Sequence, residues 1–274
     1  MPTLSGTDRG NSGDTLVTSI EQDMSSAIPT YQQVPSYEDF RERAQDSNLS
    51  LNEKCGFPDA FRSGQSAQIY ADICSKLTVL CKPGVNVLDI GPGCSELAHF
   101  IIERTGFNNQ SLTVIDSPEM LSLLPEKSHL TKIEGPFPDC IQKSEQTLRP
   151  FDAILAYSVA QTVFKHSNIF AFIDCAVHLL NEQGQFLIGD IPNVTMRKRF
   201  MITASGRAYH KIHYPHLPQP EILPNLLEPG QIDDGVVLGI IARMRGAGLH
   251  AFLLPQPADL PHGNRREDIL IKKP

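Results

Sequence analysis

An acidic residue and two glycines stand together at the end of an apolar run, in the stretch NVLDIGPGCSELAHF. The apolar start predicts a buried strand that ends at Asp89. Gly91, Pro92 and Gly93 then predict a tight turn, and Ser95 is placed to cap a following helix. A strand, a glycine turn and a helix are typical of a nucleotide-binding corner, because glycine lets a ligand reach the backbone.

The charge pattern of this corner narrows the choice of nucleotide. The dinucleotide fingerprint G-x-G-x-x-G would need a third glycine where the chain has Glu96, and a glutamate there would face a pyrophosphate. S-adenosylmethionine (SAM) has no phosphate and carries a cationic sulfonium and an ammonium group. An acid two positions before the first glycine suits such a ligand. The alternative is an ordinary strand, turn and helix with no ligand.

The stretch resembles motif I of the class I SAM-dependent methyltransferases, which has the form acid-x-G-x-G-x-G. The matching residues are Asp89, Gly91 and Gly93, whereas Ser95 departs from the third glycine. The resemblance covers roughly Pro83 to the end, without an insertion on the acceptor side. It implies SAM as cofactor and an α/β, Rossmann-like fold. In that fold a parallel sheet with an antiparallel last strand, in the order 3-2-1-4-5-7-6, has helices on both faces.

A second acid follows the next predicted strand, Ser111 to Ile115, at Asp116. A carboxylate there can accept both ribose hydroxyls of an adenosine, and the family has an acid at the matching place. Asp116 could instead cap the helix that follows. Phe137 lies in a loop that borders adenine in the family, and it could stack on the base or pack in the core. The cofactor contacts implied in this way are Asp89, Gly91, Pro92, Gly93, Asp116, Ser117, Gly135, Phe137, Tyr157 and Ser158.

The segment FDAILA, from Phe151 to Ala156, predicts the fourth strand and resembles the fourth-strand pattern of the family. The loop after it contains Tyr157, Ser158 and Gln161, and in the family this loop lies beside the transferred methyl group. The loop lacks the Asn/Asp-Pro-Pro-Tyr sequence of many enzymes that methylate planar amines in DNA. A DNA-adenine methylase is therefore disfavoured.

Composition limits the class of protein further. The net charge of −7 argues against a general nucleic-acid binder, which needs a basic stripe. Six cysteines without a C-x-x-C pair indicate reduced thiols in a cytoplasmic protein. We find neither an apolar run of membrane-spanning length nor a secretion signal, so we expect no membrane partner and a cytoplasmic location.

The sequence predicts three parts. Residues 1–35 are rich in Ser, Thr, Gly, Asp and Gln, which predicts a disordered or loosely attached arm. Residues 36–82 predict an N-terminal helical cap, because helices before the first strand often cover the SAM pocket in the family. Phe57, Arg62 and Gln65 could therefore reach the cofactor; alternatively, Phe57 packs in the core and Arg62 lies on a solvated surface. Residues 83–274 predict the methyltransferase core.

Two segments of this core are expected over the acceptor. An insertion at 191–234 leaves the carboxyl end of strand five, and the loop 255–268 returns to the same edge because the family's last strand runs backward. Their cations predict a small, anionic or sugar-type acceptor. Alternatively, Arg265 and Arg266 pair with Glu267 or Asp268. The predicted substrate contacts are Gln161, Arg199, Asn264, Arg265 and Arg266.

An oxygen acceptor would need a base, and the sequence offers His210, His213, His262 and Tyr157 without ranking them. The spacing H-x-x-H-x-x-H resembles a zinc-binding pattern, but Tyr214-Pro215 interrupts any helix that would align it. No metal is therefore predicted.

Three functions remain in competition. The first is methyl transfer from SAM to a small molecule. The second is an NAD(P)-dependent oxidoreductase, against which Glu96 speaks. The third is a methyltransferase-like protein that binds SAM or a partner without catalysis.

Overall fold

The computed structural model describes residues 34–143 and 150–274, so the predicted arm lies outside the described residues except for Val34 and Pro35. Within this part of the chain, seven strands form one sheet in the order β3-β2-β1-β4-β5-β7-β6, as predicted. The strands are β1 (Asn86–Ile90), β2 (Ser111–Asp116), β3 (Leu130–Glu134), β4 (Phe151–Tyr157), β5 (Leu180–Pro192), β6 (His250–Pro255) and β7 (Arg266–Lys272).

Helices precede the sheet and connect its strands. The segment before β1 contains α1 (Tyr37–Gln45), α2 (Leu51–Lys54), α3 (Asp59–Arg62) and α4 (Ser66–Lys76), then a 3-10 turn at Thr78–Cys81. The connections contain α5 (Glu96–Phe107), α6 (Pro118–Leu121), α7 (Asp139–Lys143), α8 (Ala160–His166), α9 (Ile169–His178), α10 (Val194–Met201), α11 (Ala204–His213) and α12 (Asp234–Gly246). No helix in the described ranges is long and apolar enough to cross a membrane.

Strand direction decides which residues meet at one edge. β1 pairs parallel with β2 and β4, and β4 pairs parallel with β5, whereas β7 runs antiparallel to β5. The carboxyl ends of β1, β2 and β4 therefore lie at the same edge of the sheet. Because Pro192 is in register with Arg266, β7 begins at that edge too.

The sheet is buried on both faces because successive side chains of a strand point to opposite sides. In β4, Ile154 and Ala156 pack with α9 and α12 in one apolar cluster. Ala153 and Leu155 pack with α4 and α5 in the other. Two apolar layers thus fix the sheet and leave its carboxyl edge for a site.

Some predicted boundaries were wrong. The apolar spacing after Ser66 predicts a helix that extends to Leu80, but the helix ends at Lys76 because Leu77 leaves the helical region with ψ 66°. The segment from Asn181 to Gly184 predicts a turn before the fifth strand, but it lies inside β5, opposite a register shift in β4 between Phe151 and Ala153. Ser95 occupies the N-cap position of α5, yet its side chain makes no capping hydrogen bond.

The insertion also contains two helices that the sequence reading did not predict, α10 and α11. Their N-caps could have been recognised. The side chain of Asn193 accepts a hydrogen bond from the amide of Met196, and that of Thr203 accepts one from Gly206.

Candidate functional site

The turn after β1 requires glycine at two positions. Gly91 has φ +71° and Gly93 has φ +63°, a region that other residues rarely adopt. A Cβ on Gly91 would lie 2.8 Å from Cγ2 of Val159, and one on Gly93 would lie 2.5 Å from Sγ of Cys55. Both glycines line the same cavity, so their backbone is open to a ligand there.

Asp89, one residue before the end of β1, is a buried carboxylate that faces this cavity. Its residue is 3% exposed and lines the cavity wall. Within residues 34–143 and 150–274, no donor hydrogen-bonds to it. Burial raises its pKa to about 8, and the charge of Asp116 adds to the rise. A cation placed in the cavity would favour the ionised form of this group.

Asp116 ends β2 and supports the glycine turn. Its Oδ2 accepts a hydrogen bond of 2.8 Å from the amide of Gly93, and its Oδ1 accepts one of 2.7 Å from the amide of Ser117. Burial nevertheless raises the pKa of Asp116 to about 6. The helix cap is Ser117, whose Oγ accepts from the amide of Met120. Asp116 is therefore not the cap of α6.

A cavity of about 400 Å³ lies at the carboxyl edge of the sheet. Ser117, a predicted cofactor contact, is 1% exposed and does not line it. Phe137 both lines it and packs edge-on against Phe172, with ring centroids 5.2 Å apart, so the two roles weighed for Phe137 are compatible. The predicted cofactor contacts that line the cavity are Asp89, Gly91, Pro92, Gly93, Asp116, Gly135, Phe137, Tyr157 and Ser158.

The helical segment before β1 closes one side of this cavity. Phe57 and Arg62 line it, with the Arg62 guanidinium 4.0 Å from the centre of the Phe57 ring. Arg41 ties this segment to the core through two hydrogen bonds to Glu119, of 2.7 and 3.0 Å. The cap thus covers the cavity with aromatic and cationic side chains.

A buried carboxylate joins this cap to the ends of β4 and β5. Asp190 is 1% exposed, and its Oδ2 lies 2.5 Å from Arg62 and 2.9 Å from Arg266. Ser158 donates a hydrogen bond of 2.5 Å to the same oxygen. Burial alone would raise the pKa of Asp190, but Arg266 and Arg62 hold it below its ordinary value.

Solved structures similar to this chain were found, whereas no protein-family model and no curated protein matches it. The plantazolicin methyltransferase BpumL, in complex with a triazolic desmethylPZN analog and SAH, is 13% identical with a TM-score of 0.53, covering 86% of this chain and 98% of that one. BpumL with SAH is 14% identical with a TM-score of 0.52, covering 93% and 100%. The N-methyltransferase NodS from Bradyrhizobium japonicum, in complex with SAH, is 15% identical with a TM-score of 0.50, covering 87% and 98%.

The chain has the class I methyltransferase fold. This conclusion depends on the strand order with its reversed β7 and on the agreement with these structures over nearly their whole length. In this methyltransferase fold, the cavity occupies the carboxyl edge where β1, β2 and β4 end.

Arg265 and His262 form a pair in the loop 255–268, which together with the insertion 191–234 is the predicted acceptor edge. Nη2 of Arg265 donates a hydrogen bond of 2.6 Å to Nδ1 of His262. Cζ of the same arginine lies 5.2 Å from the ring centre of Tyr209. Burial, then Arg265, lowers the pKa of His262 to about 3. The ring of His213 stacks on Tyr209 with centroids 3.9 Å apart. His213 and His262 do not line the cavity.

The other two candidate bases also have partners. His210 is 8% exposed, and its Nε2 lies 3.0 Å from the carbonyl oxygen of Pro218, away from the cavity. Tyr157 lines the cavity, but burial raises its pKa well above 10. Tyr157 is therefore the one predicted base at the cavity, and it stays protonated.

The predicted substrate contacts do not line the cavity either. Gln161 Nε2 donates to the carbonyl of Gly230 at 2.8 Å, and Arg199 pairs with Asp234 at 2.5 Å. Asn264 Oδ1 is buried and has no hydrogen-bond partner among the described residues. Arg266 pairs with Asp190, and not with Glu267 or Asp268, which were the alternative partners considered from the sequence.

In the described ranges, no group of three or more His, Cys, Asp or Glu residues could hold a metal ion.

Sequence reasoning missed several cavity residues. Tyr37, Asn52 and Cys55 lie far from motif I in sequence, and nothing in their local pattern indicates a ligand. His166 ends α8 and lines the cavity, while its Nε2 lies 2.9 Å from the carbonyl oxygen of Val34. The positions of Tyr37, Asn52 and Cys55 depend on how the helical cap packs over the edge of the sheet.

Proposed function

We propose that this protein transfers a methyl group from SAM to a small acceptor molecule. The observation that carries the proposal is the Asp89 carboxylate, which is buried, lacks a hydrogen-bond donor in the described part of the chain, and faces the cavity beside an open glycine turn. The methyltransferase fold and the SAH present in similar solved structures support the same function.

The residues of the cavity fit SAM in their chemistry. Asp89 offers a carboxylate to a cationic group, and Asp116 offers one to ribose hydroxyls. Phe137 and Met120 offer apolar surface to a base. When bound, SAM supplies a methyl group on a positively charged sulfur, which is an electrophile that an acceptor lone pair can attack in line.

The protein then contributes mainly position and exclusion of water. Tyr37 and Phe57 of the cap cover the cavity, and Gly91 and Gly93 allow close approach of the ligand to the backbone. Ser158, with φ +65°, holds the end of β4 in place through its hydrogen bond to the buried carboxylate at the end of β5.

We also propose that the acceptor bears an anionic group, as a small carboxylic acid or an acidic sugar derivative does. Arg265 forms no ion pair with a carboxylate in the ranges 34–143 and 150–274, so its charge remains available. His262, its neighbour, packs 4.9 Å from the ring of Phe61, next in sequence to the cavity residue Arg62. An arginine fork suits a carboxylate or a phosphate.

The candidate bases support an anionic acceptor as well. Tyr157 holds its proton firmly, and His262 is a weak base because burial and Arg265 lower its pKa to about 3. A neutral alcohol would need a better base than either. An oxygen that reaches the site already ionised needs none, since its lone pair can attack without loss of a proton.

The experiment is a turnover assay with panels of carboxylic acids, phenols, acidic sugars and amines, in which SAH formation and methylated product are measured by mass spectrometry. We expect SAH formation that depends on an acceptor from the anionic panels. SAM binding without SAH formation in any panel would favour the non-catalytic alternative. Tight NAD binding without SAM binding would favour the oxidoreductase.

A further inference from the structure

Two thiols meet where the helical cap contacts the glycine turn. Cys55 follows α2 and lines the cavity, and Cys94 follows Gly93 and is fully buried. Their Sγ atoms are 3.9 Å apart, and the amide of Cys94 donates to Sγ of Cys55 at 3.2 Å. The contact between Cys55 and Cys94 thus connects the helical cap with the glycine turn.

The environment shifts the pKa values of the two thiols in opposite directions. The hydrogen bond from the Cys94 side chain lowers the pKa of Cys55 despite burial, and the amides of Cys94 and Ser95 act in the same direction. The contact with Cys55, then burial, raises the pKa of Cys94. Cys55 is therefore the thiol that ionises more easily, and the cavity gives a small molecule access to it.

We propose that Cys55 and Cys94 form an oxidative modification site, at which hydrogen peroxide converts the two thiols to a disulfide that locks the cap onto the glycine turn. The Cys55 thiolate attacks one peroxide oxygen, the O–O bond breaks, and water leaves after protonation, so that a sulfenic acid remains. Cys94 then attacks the Cys55 sulfur, and the sulfenic oxygen leaves as water with the Cys94 proton. Two thiols and one peroxide give one disulfide and two waters.

The disulfide would alter the SAM site, a consequence that depends on the proposed function. A Cβ on Gly93 would lie 2.5 Å from Cys55 Sγ, so the sulfur already packs against the turn. Closing the two sulfurs to about 2 Å draws cap and turn together. The amide of Gly93, which donates to Asp116, moves with them. We therefore expect weaker SAM binding in the oxidised protein, and protection of Cys55 by bound SAM.

The test treats the full chain with hydrogen peroxide and locates the bond by peptide mass spectrometry after alkylation of remaining thiols. Titration calorimetry then measures SAM affinity before oxidation, after it, and after reduction with dithiothreitol. We expect a peptide that links Cys55 to Cys94, SAM affinity at least tenfold weaker, and recovery on reduction. Cys81, which is exposed, provides the matched control, because Cys81→Ser should leave both results unchanged.

Variants separate this proposal from the proposed function. Cys55→Ser should abolish the linked peptide and make SAM affinity insensitive to peroxide, and Cys94→Ala provides a second variant. Peroxide that yields only sulfinic or sulfonic acids, or pairs other cysteines, overturns the modification site. A linked peptide with unchanged SAM affinity overturns its effect on the cofactor. If the reduced protein binds no SAM at all, the proposed function fails, while the linked peptide still decides whether the modification site exists.

Discussion

The turn side of the cavity and the acceptor edge differ in how their residues are used. At the turn side, Asp89 faces the cavity without a donor within the described residues, and the glycine backbone is open. At the acceptor edge, Arg199 forms an exposed ion pair with Asp234, Arg266 pairs with buried Asp190, and Arg265 binds His262. The first region presents a carboxylate and open backbone to the cavity, whereas the side chains of the second mainly contact one another.

The largest effect should come from the turn itself. Gly93→Ala forces a side chain into a left-handed conformation and against Cys55, at a cost of about 1–3 kcal/mol for the backbone alone. We expect SAM affinity to fall roughly hundredfold in calorimetry. Gly84→Ala is the matched control, since Gly84 has φ +72° but no atom within 4 Å of its added Cβ. Equal losses of SAM affinity in both variants would show that the effect is general strain.

Asp116→Ala should weaken SAM binding by about 1–3 kcal/mol, because ribose hydroxyls would lose their acceptor. The same change removes the acceptor of the Gly93 amide, which loosens the turn. Titration calorimetry measures the loss. Unchanged affinity would leave Asp116 with a structural role only.

Asp89 predicts a specific pH dependence. The pKa of Asp89 is raised from 3.8 to about 8 in the folded protein. Its contribution to stability is therefore full below pH 3.8 and is lost as the pH rises through about 8. Binding of a cation needs the ionised form, so SAM affinity should rise about tenfold per pH unit in the upper part of this window. Calorimetry in buffers of different ionisation enthalpy should show proton release on binding. Asp89→Asn should abolish the release, and a wild-type protein that releases no proton contradicts this role.

Arg265 and Arg266 test the acceptor edge. Arg265→Ala should weaken use of an anionic acceptor by about tenfold and leave the melting temperature nearly unchanged. Arg266→Ala should lower the melting temperature, because buried Asp190 then keeps one arginine partner of the two. Thermal melts and acceptor kinetics measured in parallel separate the two. If Arg265→Ala and Arg266→Ala change the melting temperature and the acceptor kinetics to the same extent, the two arginines do not have the separate roles proposed for them.

Residues 1–33 should have the smallest effect. Their composition, rich in Ser, Thr, Gly, Asp and Gln, predicts too little apolar burial to offset chain entropy, so we expect a chain that begins at Val34 to melt at nearly the same temperature. Deletion stops before Val34 because its carbonyl contacts His166. A large fall in the melting temperature would show that this segment packs on the core.

The sequence predicted the fold and the turn side better than the acceptor edge for a physical reason. Strand periodicity and the acid-glycine pattern are local, so Asp89, Gly91 and Gly93 could be placed from neighbouring residues alone. Parallel strands bring their carboxyl ends together, which put Asp116 and Tyr157 at the same cavity. The partners of Arg266 and His262 depend on the bulge at Asp190, and those of Tyr37 and Cys55 depend on cap packing. Neither the bulge nor the packing of the cap produces a local sequence pattern that could be recognised.

The most direct test of the central claim is calorimetric titration of the wild-type chain with SAM and, separately, with NAD. The claim is that the cavity with Asp89 at its wall binds a cationic, phosphate-free nucleoside. We predict binding of SAM at one site per chain and no measurable binding of NAD. Tight binding of NAD with no signal for SAM would contradict it.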